Sequence, residues 1–168
     1  MLRSLLLLLA ALLTPSCAAE AQEELPALAL TGRVVDAAEV LSPECEERLT
    51  ARLAALEKDT GVQLVVATTP YLAGQTVEAY SLRLARAWAL GDAQRNDGLL
   101  LLVAPAERKV RIEVGFGLEA SVRDEDAAAI IRDAMLPRFR LNDFEGGVEA
   151  GVDGLMREVT PLPFKEAA

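Results

Sequence analysis

The chain has 168 residues, a formal net charge of −9 and no histidine. The negative charge argues against a nucleic-acid partner, because phosphates are bound by basic surfaces that release counterions. The absence of histidine excludes Ser-His-Asp and Cys-His catalysis, histidine phosphatase chemistry and ordinary zinc hydrolase sites.

The N-terminal segment has the pattern of a secretory signal peptide. A basic residue precedes an apolar run, Leu5 to Leu13, and small residues follow it. Ala19-Glu20-Ala21 fits the small-x-small cleavage pattern, so residues 1–21 are predicted to be removed and the protein to be exported, periplasmic or extracellular. A form lipid-anchored through Cys17 is the weaker alternative, since Thr14 stands where a lipobox normally has leucine.

The remaining chain is long enough for one domain with its own core, and no later apolar run reaches the length of a membrane span. We divide it into a linker over residues 22–30, a domain over residues 31–159 and an irregular tail over residues 160–168. Only Cys45 remains after cleavage, so no disulfide within the chain is predicted. Its helical spacing with leucines predicts a buried thiol.

The first half of the domain is predicted to alternate strands and helices. An extended entry segment, Thr31 to Asp36, leads to a helix that Ser42 caps and Gly61 ends. A buried strand, Val62 to Thr68, precedes a second helix from about Thr76 to Leu90. A further strand after that helix predicts a right-handed parallel crossover.

Residues Asn96 to Glu119 are predicted to form a β-hairpin. The run from Leu99 to Ala104 has no polar residue, as in a strand covered on both faces. Lys109 to Val114 alternates polar and apolar residues, as in a strand nearer the sheet edge. The hairpin therefore adds an antiparallel strand to the parallel crossover.

The predicted turn also gives the register of this hairpin. A turn centred on residues 106–107 places Leu99 opposite Val114 and Asp97 opposite Phe116. A slip of one or two residues would leave the same residues at the same end of the hairpin. Any chemistry that depends on this hairpin is therefore expected at its open end.

Two further helices are predicted in the last part of the domain. One begins near Asp124 and is broken by Pro137, and the other begins near Asp143. The last helix contains Gly146, Gly147, Gly151 and Gly154, which predicts close packing against another backbone. Together the elements predict a three-layer α/β/α sandwich with a mixed sheet.

Asp97 and Glu119 are predicted to lie near each other at the open end of the hairpin. Two carboxylates that approach raise each other's pKa unless a cation or hydrogen-bond donors keep them charged. A hard divalent ion, Ca²⁺ or else Mg²⁺, is one solution. The alternatives are structural, because Asn-Asp-Gly is ordinary turn chemistry for Asp97 and a turn after Val35 can be capped by Asp36.

The segment from Gly115 to Ala120 formally matches the glycine-rich dinucleotide fingerprint. That fingerprint needs a helix to open at the loop, yet the next helix is predicted near Asp124, and Glu119 would repel phosphate. We therefore predict no nucleotide cofactor. The glycines are interpreted as positions of positive φ and close backbone approach.

An ordered set of short motifs runs through the domain. Its members are Gly32-Arg33-Val34-Val35-Asp36, Trp88-Ala89-Leu90-Gly91, Asn96-Asp97-Gly98-Leu99-Leu100-Leu101, Arg111-Ile112-Glu113-Val114-Gly115-Phe116-Gly117-Leu118-Glu119, Pro137-Arg138-Phe139 and Asp143-Phe144-Glu145-Gly146-Gly147. In this order they closely resemble the TPM domain family, over about Thr31 to Val159.

The resemblance implies a Rossmann-like α/β/α sandwich outside the cytoplasm. Relatives are described as thylakoid-lumen proteins that support photosystem II repair, as proposed acid phosphatases, as calcium-binding proteins and as accessory subunits of animal receptors. The acids that match the family pattern are Asp36, Asp97 and Glu119, which form the predicted metal set. Many bacterial members continue into a membrane helix and a glycine-rich tail, whereas this chain stops at Ala168, which favours a free periplasmic domain.

Two functions of different classes follow from these observations. The first, which we favour, is a calcium-binding accessory or interaction module that docks an unidentified protein in extracytoplasmic complexes. The second is a metal-assisted acid phosphatase for phosphomonoesters, in which an ion activates water. The sequence has neither an Asp-x-Asp nucleophile motif nor a Cys-x5-Arg loop, so no catalytic residue is assigned.

Overall fold

The computed structural model describes residues 28–160, and the predicted signal peptide lies outside the described residues. The sheet has four strands in the order β1-β2-β3-β4. The first three strands are parallel, and the fourth pairs antiparallel with the third. The strands are β1 (Val34–Asp36), β2 (Gln63–Thr68), β3 (Gly98–Ala104) and β4 (Lys109–Val114). The predicted mixed sheet, with a parallel crossover and an antiparallel hairpin, is confirmed.

The helices cover both faces of this sheet. One buried cluster joins α2 to one face, and a larger cluster joins the remaining long helices to the other. No described helix is long and apolar enough to span a bilayer. The helical elements are α1 (Pro43–Thr60), α2 (Val77–Ala87), a 3₁₀ turn (Phe116–Leu118), α3 (Asp124–Ala129), a π-helical segment (Ile130–Met135), α4 (Leu136–Phe139) and α5 (Phe144–Val159).

The ends of α1 agree with the sequence prediction. The Ser42 hydroxyl accepts a hydrogen bond from the Cys45 N–H at 3.3 Å. Gly61 adopts a left-handed conformation with φ of 79°, and its N–H donates to the Glu57 carbonyl at 2.8 Å. Cys45 is fully buried on the inner face of this helix, as its spacing with leucines predicts.

The predicted hairpin register is also confirmed. Leu99 pairs with Val114, as a turn at residues 106–107 requires. The backbone ladder continues beyond both strands, because the Gly115 N–H donates to the Gly98 carbonyl at 2.8 Å and the Gly117 N–H donates to the Asn96 carbonyl at 3.0 Å. The segments before β3 and after β4 are therefore joined as an extension of the sheet.

The prediction that Pro137 ends the third helix is wrong. The chain remains helical from Asp124 to Phe139 and passes through the π-helical segment Ile130–Met135. Pro137 directly follows the π-helical segment and has no N–H to donate to the preceding turn. The wider π turn thus allows the helix to continue across the proline.

The glycines of α5 do allow close packing, although against side chains rather than against another backbone. A Cβ on Gly147 would lie 2.2 Å from the Phe139 ring, and one on Gly151 would lie 2.7 Å from the Met135 sulfur. A Cβ on Gly154 would lie 2.8 Å from Ile130. These glycines therefore let α5 accept the side chains of the continuous helix that precedes it.

Candidate binding site at the glycine-rich end of the sheet

The three acids of the predicted metal set do not meet at one end of the sheet. Asp36 ends β1 and pairs with Thr68, which in turn pairs with Val103 near the end of β3. Asp97 directly precedes the first residue of β3. The six residue-to-residue steps from Asp97 to Val103 span about 20 Å of extended chain. Because β1 and β3 run parallel, Asp36 and Asp97 lie at opposite ends of the sheet.

Asp36 closes the turn that leads into α1. One carboxylate oxygen accepts a hydrogen bond from the Leu41 N–H at 2.8 Å, and the other accepts one from the Thr68 hydroxyl. The Asp36 carbonyl also accepts a hydrogen bond from the N–H of Glu39, which has a positive φ of 53°. These contacts are those of a residue that caps a turn, which is the structural role considered for Asp36 in the sequence analysis.

Asp97 is buried, with 7 % of its surface exposed, and both of its carboxylate oxygens have partners. One oxygen accepts a hydrogen bond from the Asp92 N–H at 2.8 Å. The other accepts one from the Arg95 guanidinium at 2.5 Å. A charge-assisted bond of this kind neutralises the carboxylate inside the protein. Through these two hydrogen bonds, Asp97 stabilises the loop that runs from Asp92 to Asp97.

Asp92 stabilises the beginning of the same loop. One of its carboxylate oxygens accepts hydrogen bonds from the N–H groups of Gln94 and Arg95, at 2.9 and 3.0 Å. The backbone N–H groups of Arg95 and Gln94 hold the pKa of Asp92 below its usual range. The hydrogen bond to Asp97 raises the pKa of Arg95. Backbone hydrogen bonds and ion pairs to Asp92 and Asp97 therefore hold this loop.

Glycines allow the backbones at this end of the sheet to touch. A Cβ on Gly98 would lie 2.5 Å from the Leu90 carbonyl oxygen, and one on Gly115 would lie 2.3 Å from the Asn96 carbonyl oxygen. A Cβ on Gly117 would lie 1.8 Å from the Arg95 carbonyl oxygen. The predicted close approach is therefore present, whereas Gly115 has a φ of −65° rather than the predicted positive value.

Glu119 is exposed beside these packed loops. No hydrogen bond or ion pair formed among residues 28–160 uses its carboxylate. It lines a groove of about 540 Å³ between α2 and β4, which we call the Phe116 groove. The groove combines apolar and acidic side chains, and its principal lining residues are Leu82, Arg86, Leu90, Asp92, Glu113, Val114, Phe116 and Glu119.

The arrangement does not fit a closed calcium site. Ca²⁺ takes six to eight oxygen ligands, mainly carboxylates and carbonyls. Within residues 28–160 no three acidic or cysteine side chains are grouped so that they could hold an ion. Asp36 and Asp97 already use their oxygens in local hydrogen bonds, and Glu119 alone of the predicted set is free of such bonds in this region. Calcium binding by these acids stays a prediction.

Comparison with known proteins agrees with this architecture. The model of the TPM domain family matches residues 34–158. The chain belongs to the TPM domain family. No curated protein matches the chain. The matched range includes the whole sheet and nearly all of α5, so the family match covers almost the entire described fold.

Solved structures share the fold of this TPM domain. The N-terminal domain of a protein from P. gingivalis, solved by solution NMR, is 33 % identical, with a TM-score of 0.74, and the match covers 82 % of this chain and 89 % of that one. An N-terminal domain from Corynebacterium glutamicum is 15 % identical, with a TM-score of 0.62 and coverage of 82 % and 86 %. The BA42 protein of the psychrophilic bacterium Bizionia argentinensis is 19 % identical, with a TM-score of 0.64 and coverage of 75 % and 86 %.

Sequence reasoning missed three residues that build the glycine-rich end of this TPM domain. Arg95 neutralises Asp97, and the Gln63 side chain accepts a hydrogen bond from the Gly91 N–H at 2.6 Å. Phe116 projects into solvent with 79 % of its surface exposed. Arg95 could have been found from the sequence, because it stands two positions before the candidate ligand Asp97. Gln63 is distant in sequence from Gly91, so no local pattern indicates their hydrogen bond.

Proposed function

We propose that this TPM domain is an exported, non-enzymatic interaction module whose Phe116 groove docks a segment of a partner protein. The observation that carries the proposal is the exposure of Phe116, at 79 %, on backbone that is fixed on both sides. Its neighbour Gly115 donates a backbone hydrogen bond to Gly98 at the start of β3, and its other neighbour Gly117 donates one to Asn96 just before that strand. An exposed aromatic side chain on an ordered loop is an anchor with little conformational entropy to lose on binding.

The groove around this anchor defines the chemistry of the partner. Leu82, Leu90 and Val114 provide apolar surface beside Phe116. Glu119 adds a negative charge that has no ion-pair partner among residues 28–160, whereas Asp92 pairs with Arg95 and Glu113 with Arg111. Arg86 is the one basic residue in the described lining. A segment with an apolar side chain next to lysine or arginine is complementary to this surface in shape and charge.

The formal charge of the whole chain supports the same kind of partner. A net charge of −9 attracts a basic surface at long range and accelerates its approach. Calcium is not required for docking in this proposal, because the acids of the groove can meet basic side chains directly. Calcium binding at Glu119 is a separate hypothesis with its own test.

The phosphatase alternative has less support from the described side chains. Cys45 is fully buried, and burial, with the nearby charges of Glu145 and Glu149, raises the pKa of its thiol. Asp36 and Asp97 are held by local hydrogen bonds and are not presented to a substrate. Hydrolysis of para-nitrophenyl phosphate tests this alternative, and turnover that Glu119→Gln abolishes would overturn the proposal of a non-enzymatic module.

Peptide selection tests the proposed docking site. A random peptide library is panned against the purified domain and against Phe116→Ser. Leu141→Ser is a matched control, because Leu141 is 80 % exposed and lies outside the groove. We expect enriched peptides to carry an apolar residue flanked by lysine or arginine, and to lose binding to Phe116→Ser but not to Leu141→Ser. Equal loss in both variants, or peptides without basic residues, would overturn the proposal.

A further inference from the structure

A second groove lies at the other end of the sheet from the Phe116 groove, where β3 ends. It has a volume of about 750 Å³ and runs between the β3–β4 turn and the segment that joins α4 to α5. We call it the Phe139 groove, and its principal lining residues are Arg108, Val110, Leu136, Phe139, Arg140 and Phe144. A groove of this volume can hold a small organic molecule.

Two phenylalanine rings form the apolar part of the Phe139 groove. The ring centroids of Phe139 and Phe144 lie 5.6 Å apart, with the ring planes inclined by 32°. A Cβ on Gly147 would lie 2.2 Å from the Phe139 ring, so the glycine leaves the space in which this ring packs. Both rings are half-buried, as is Val110, which also lines the groove. Packing therefore forms the apolar wall in advance, which reduces the entropy that is lost when a ligand binds.

The charged residues that line the Phe139 groove among residues 28–160 are all basic, although the chain has 26 acidic and only 17 basic residues. Arg108 and Arg140 are exposed, and no hydrogen bond or ion pair within residues 28–160 uses either guanidinium. Lys109 also belongs to the lining. Its side chain lies on the same face of β4 as that of Glu113, which bonds to Ser81 of α2, and so on the other face from the rings. The groove thus offers two accessible guanidinium groups beside an apolar wall.

The beginning of α5 restricts the charge of a ligand in this groove. The Asp143 carboxylate accepts hydrogen bonds from the Gly146 N–H at 2.9 Å and from the Arg138 guanidinium at 3.1 Å. The helix N-terminus, where phosphate groups commonly bind, therefore already carries a carboxylate. Its negative charge repels a doubly charged phosphate more strongly than a singly charged carboxylate. A carboxylate also matches the planar guanidinium groups, which can donate to both of its oxygens.

We propose that the Phe139 groove binds a small organic carboxylate. Its apolar group packs against the rings of Phe139 and Phe144, and its carboxylate accepts hydrogen bonds from Arg108 and Arg140. The site is distinct from the Phe116 groove and selects ligands of the opposite charge, so it goes beyond the proposed docking of a basic segment. A small ligand in an open groove is expected to bind with a dissociation constant on the order of 1 mM.

A matched series of ligands tests both parts of the proposal. Phenylpropionate has a ring and a carboxylate, phenylpropionamide has nearly the same shape without the charge, and acetate has the charge without the ring. Each is titrated into isotope-labelled protein, and the amide chemical shifts are followed by NMR. We expect phenylpropionate to shift residues 103–110 and 136–144 and to bind at least about tenfold more tightly than either of the other ligands. Equal affinity for the amide or for acetate, or the absence of saturable shifts in these two segments, would overturn the proposal.

Substitution of each arginine tests the carboxylate contact. Arg108→Gln and Arg140→Gln should each weaken the binding of phenylpropionate about tenfold and leave that of phenylpropionamide unchanged. Lys58→Gln is the matched control, because it removes one charge from the exposed last turn of α1, outside the groove, and should have no effect. Unchanged affinity in either arginine variant, or an equal loss in Lys58→Gln, would overturn the proposal.

Phe116→Ser separates this site from the proposed docking site. It removes the exposed ring of the Phe116 groove, which does not line the Phe139 groove, and should leave the dissociation constant of phenylpropionate unchanged. A loss of phenylpropionate binding in Phe116→Ser would show that the ligand occupies the Phe116 groove and would overturn the inference. Peptide docking that fails while phenylpropionate binds as expected would overturn the proposed function alone.

Discussion

The two ends of the sheet use aspartate in the same way but differ in what surrounds it. Asp36 at one end and Asp97 at the other each accept one backbone N–H and one side-chain donor. At the Asp36 end the contacts only close a turn before α1. At the Asp97 end they hold a loop whose backbone touches β3 and the residues after β4, and this loop supports the exposed Phe116.

This difference shows that an acid at a strand end does not by itself indicate a ligand site. The Asp97 end, which carries the Phe116 groove, differs from the Asp36 end in its backbone-to-backbone contacts and its exposed aromatic residue. Neither of these features involves a carboxylate. A third acid, Glu119, is the residue of the predicted set that remains accessible at this end. If the two ends differ in this way, changes at the Asp97 end should affect stability more than changes at the Asp36 end.

The close backbone contact at Gly117 is expected to be the most sensitive point of the glycine-rich end. In Gly117→Ala the new Cβ would lie 1.8 Å from the Arg95 carbonyl oxygen, so one of the two segments must move. We expect a loss of about 3 kcal/mol or more in the free energy of unfolding, measured with urea. Gly32→Ala is the control, since its Cβ would meet nothing closer than 3.9 Å. Equal effects would contradict the packing described.

Removal of the two aspartates compares the two ends directly. Asp97→Ala leaves the Asp92 N–H and the Arg95 guanidinium without their acceptor, and we expect a loss of about 2–4 kcal/mol. Asp36→Ala leaves neutral donors unpaired and should cost about 1–3 kcal/mol. The same unfolding assay measures both. A negligible effect of Asp97→Ala would instead favour a ligand role for this carboxylate.

Acid should release the loop at the Asp97 end through Asp92. Its folded-state pKa is lowered, so the stabilisation is complete above the unfolded value of about 3.9 and is lost as the pH falls through the lower folded value. The amide chemical shifts of Gln94 and Arg95, followed by NMR, should therefore titrate with a midpoint below that of a free aspartate. Asp92→Asn should remove this titration, and a midpoint at the ordinary value would contradict the hydrogen bonds.

Calcium is expected to have the smallest effect, because a single free carboxylate provides few ligands. In an NMR titration with calcium chloride, shifts should be confined to residues of the Phe116 groove and should disappear in Glu119→Gln. Stabilisation should stay below about 1 kcal/mol at calcium concentrations near the dissociation constant. Shifts at Asp36, or saturation that survives Glu119→Gln, would show a different site from the one considered.

Local sequence signals predicted much of the fold. Ser42 and Gly61 define the ends of α1 because capping depends on hydrogen bonds within a few residues. The turn at residues 106–107 predicted the pairing of Leu99 with Val114, since a hairpin register follows from its turn. The prediction that the helix ends at Pro137 was wrong because a π-helical segment before the proline lets the helix continue. Such a segment has no clear sequence signature.

Sequence patterns alone predicted the parallel crossover, the antiparallel hairpin, the family resemblance and an acidic, glycine-rich segment, because these depend on periodicity and local backbone chemistry. The roles of Asp36, Asp97 and Glu119 depend instead on contacts between segments that are distant in sequence. Because β1 and β3 both run parallel to β2, Asp36 lies at the opposite end of the sheet from Asp97. The Arg95 guanidinium donates a hydrogen bond to the Asp97 carboxylate. The accessible surface at Phe116 likewise depends on which neighbours pack against that segment, and long-range packing of this kind is not encoded in local spacing.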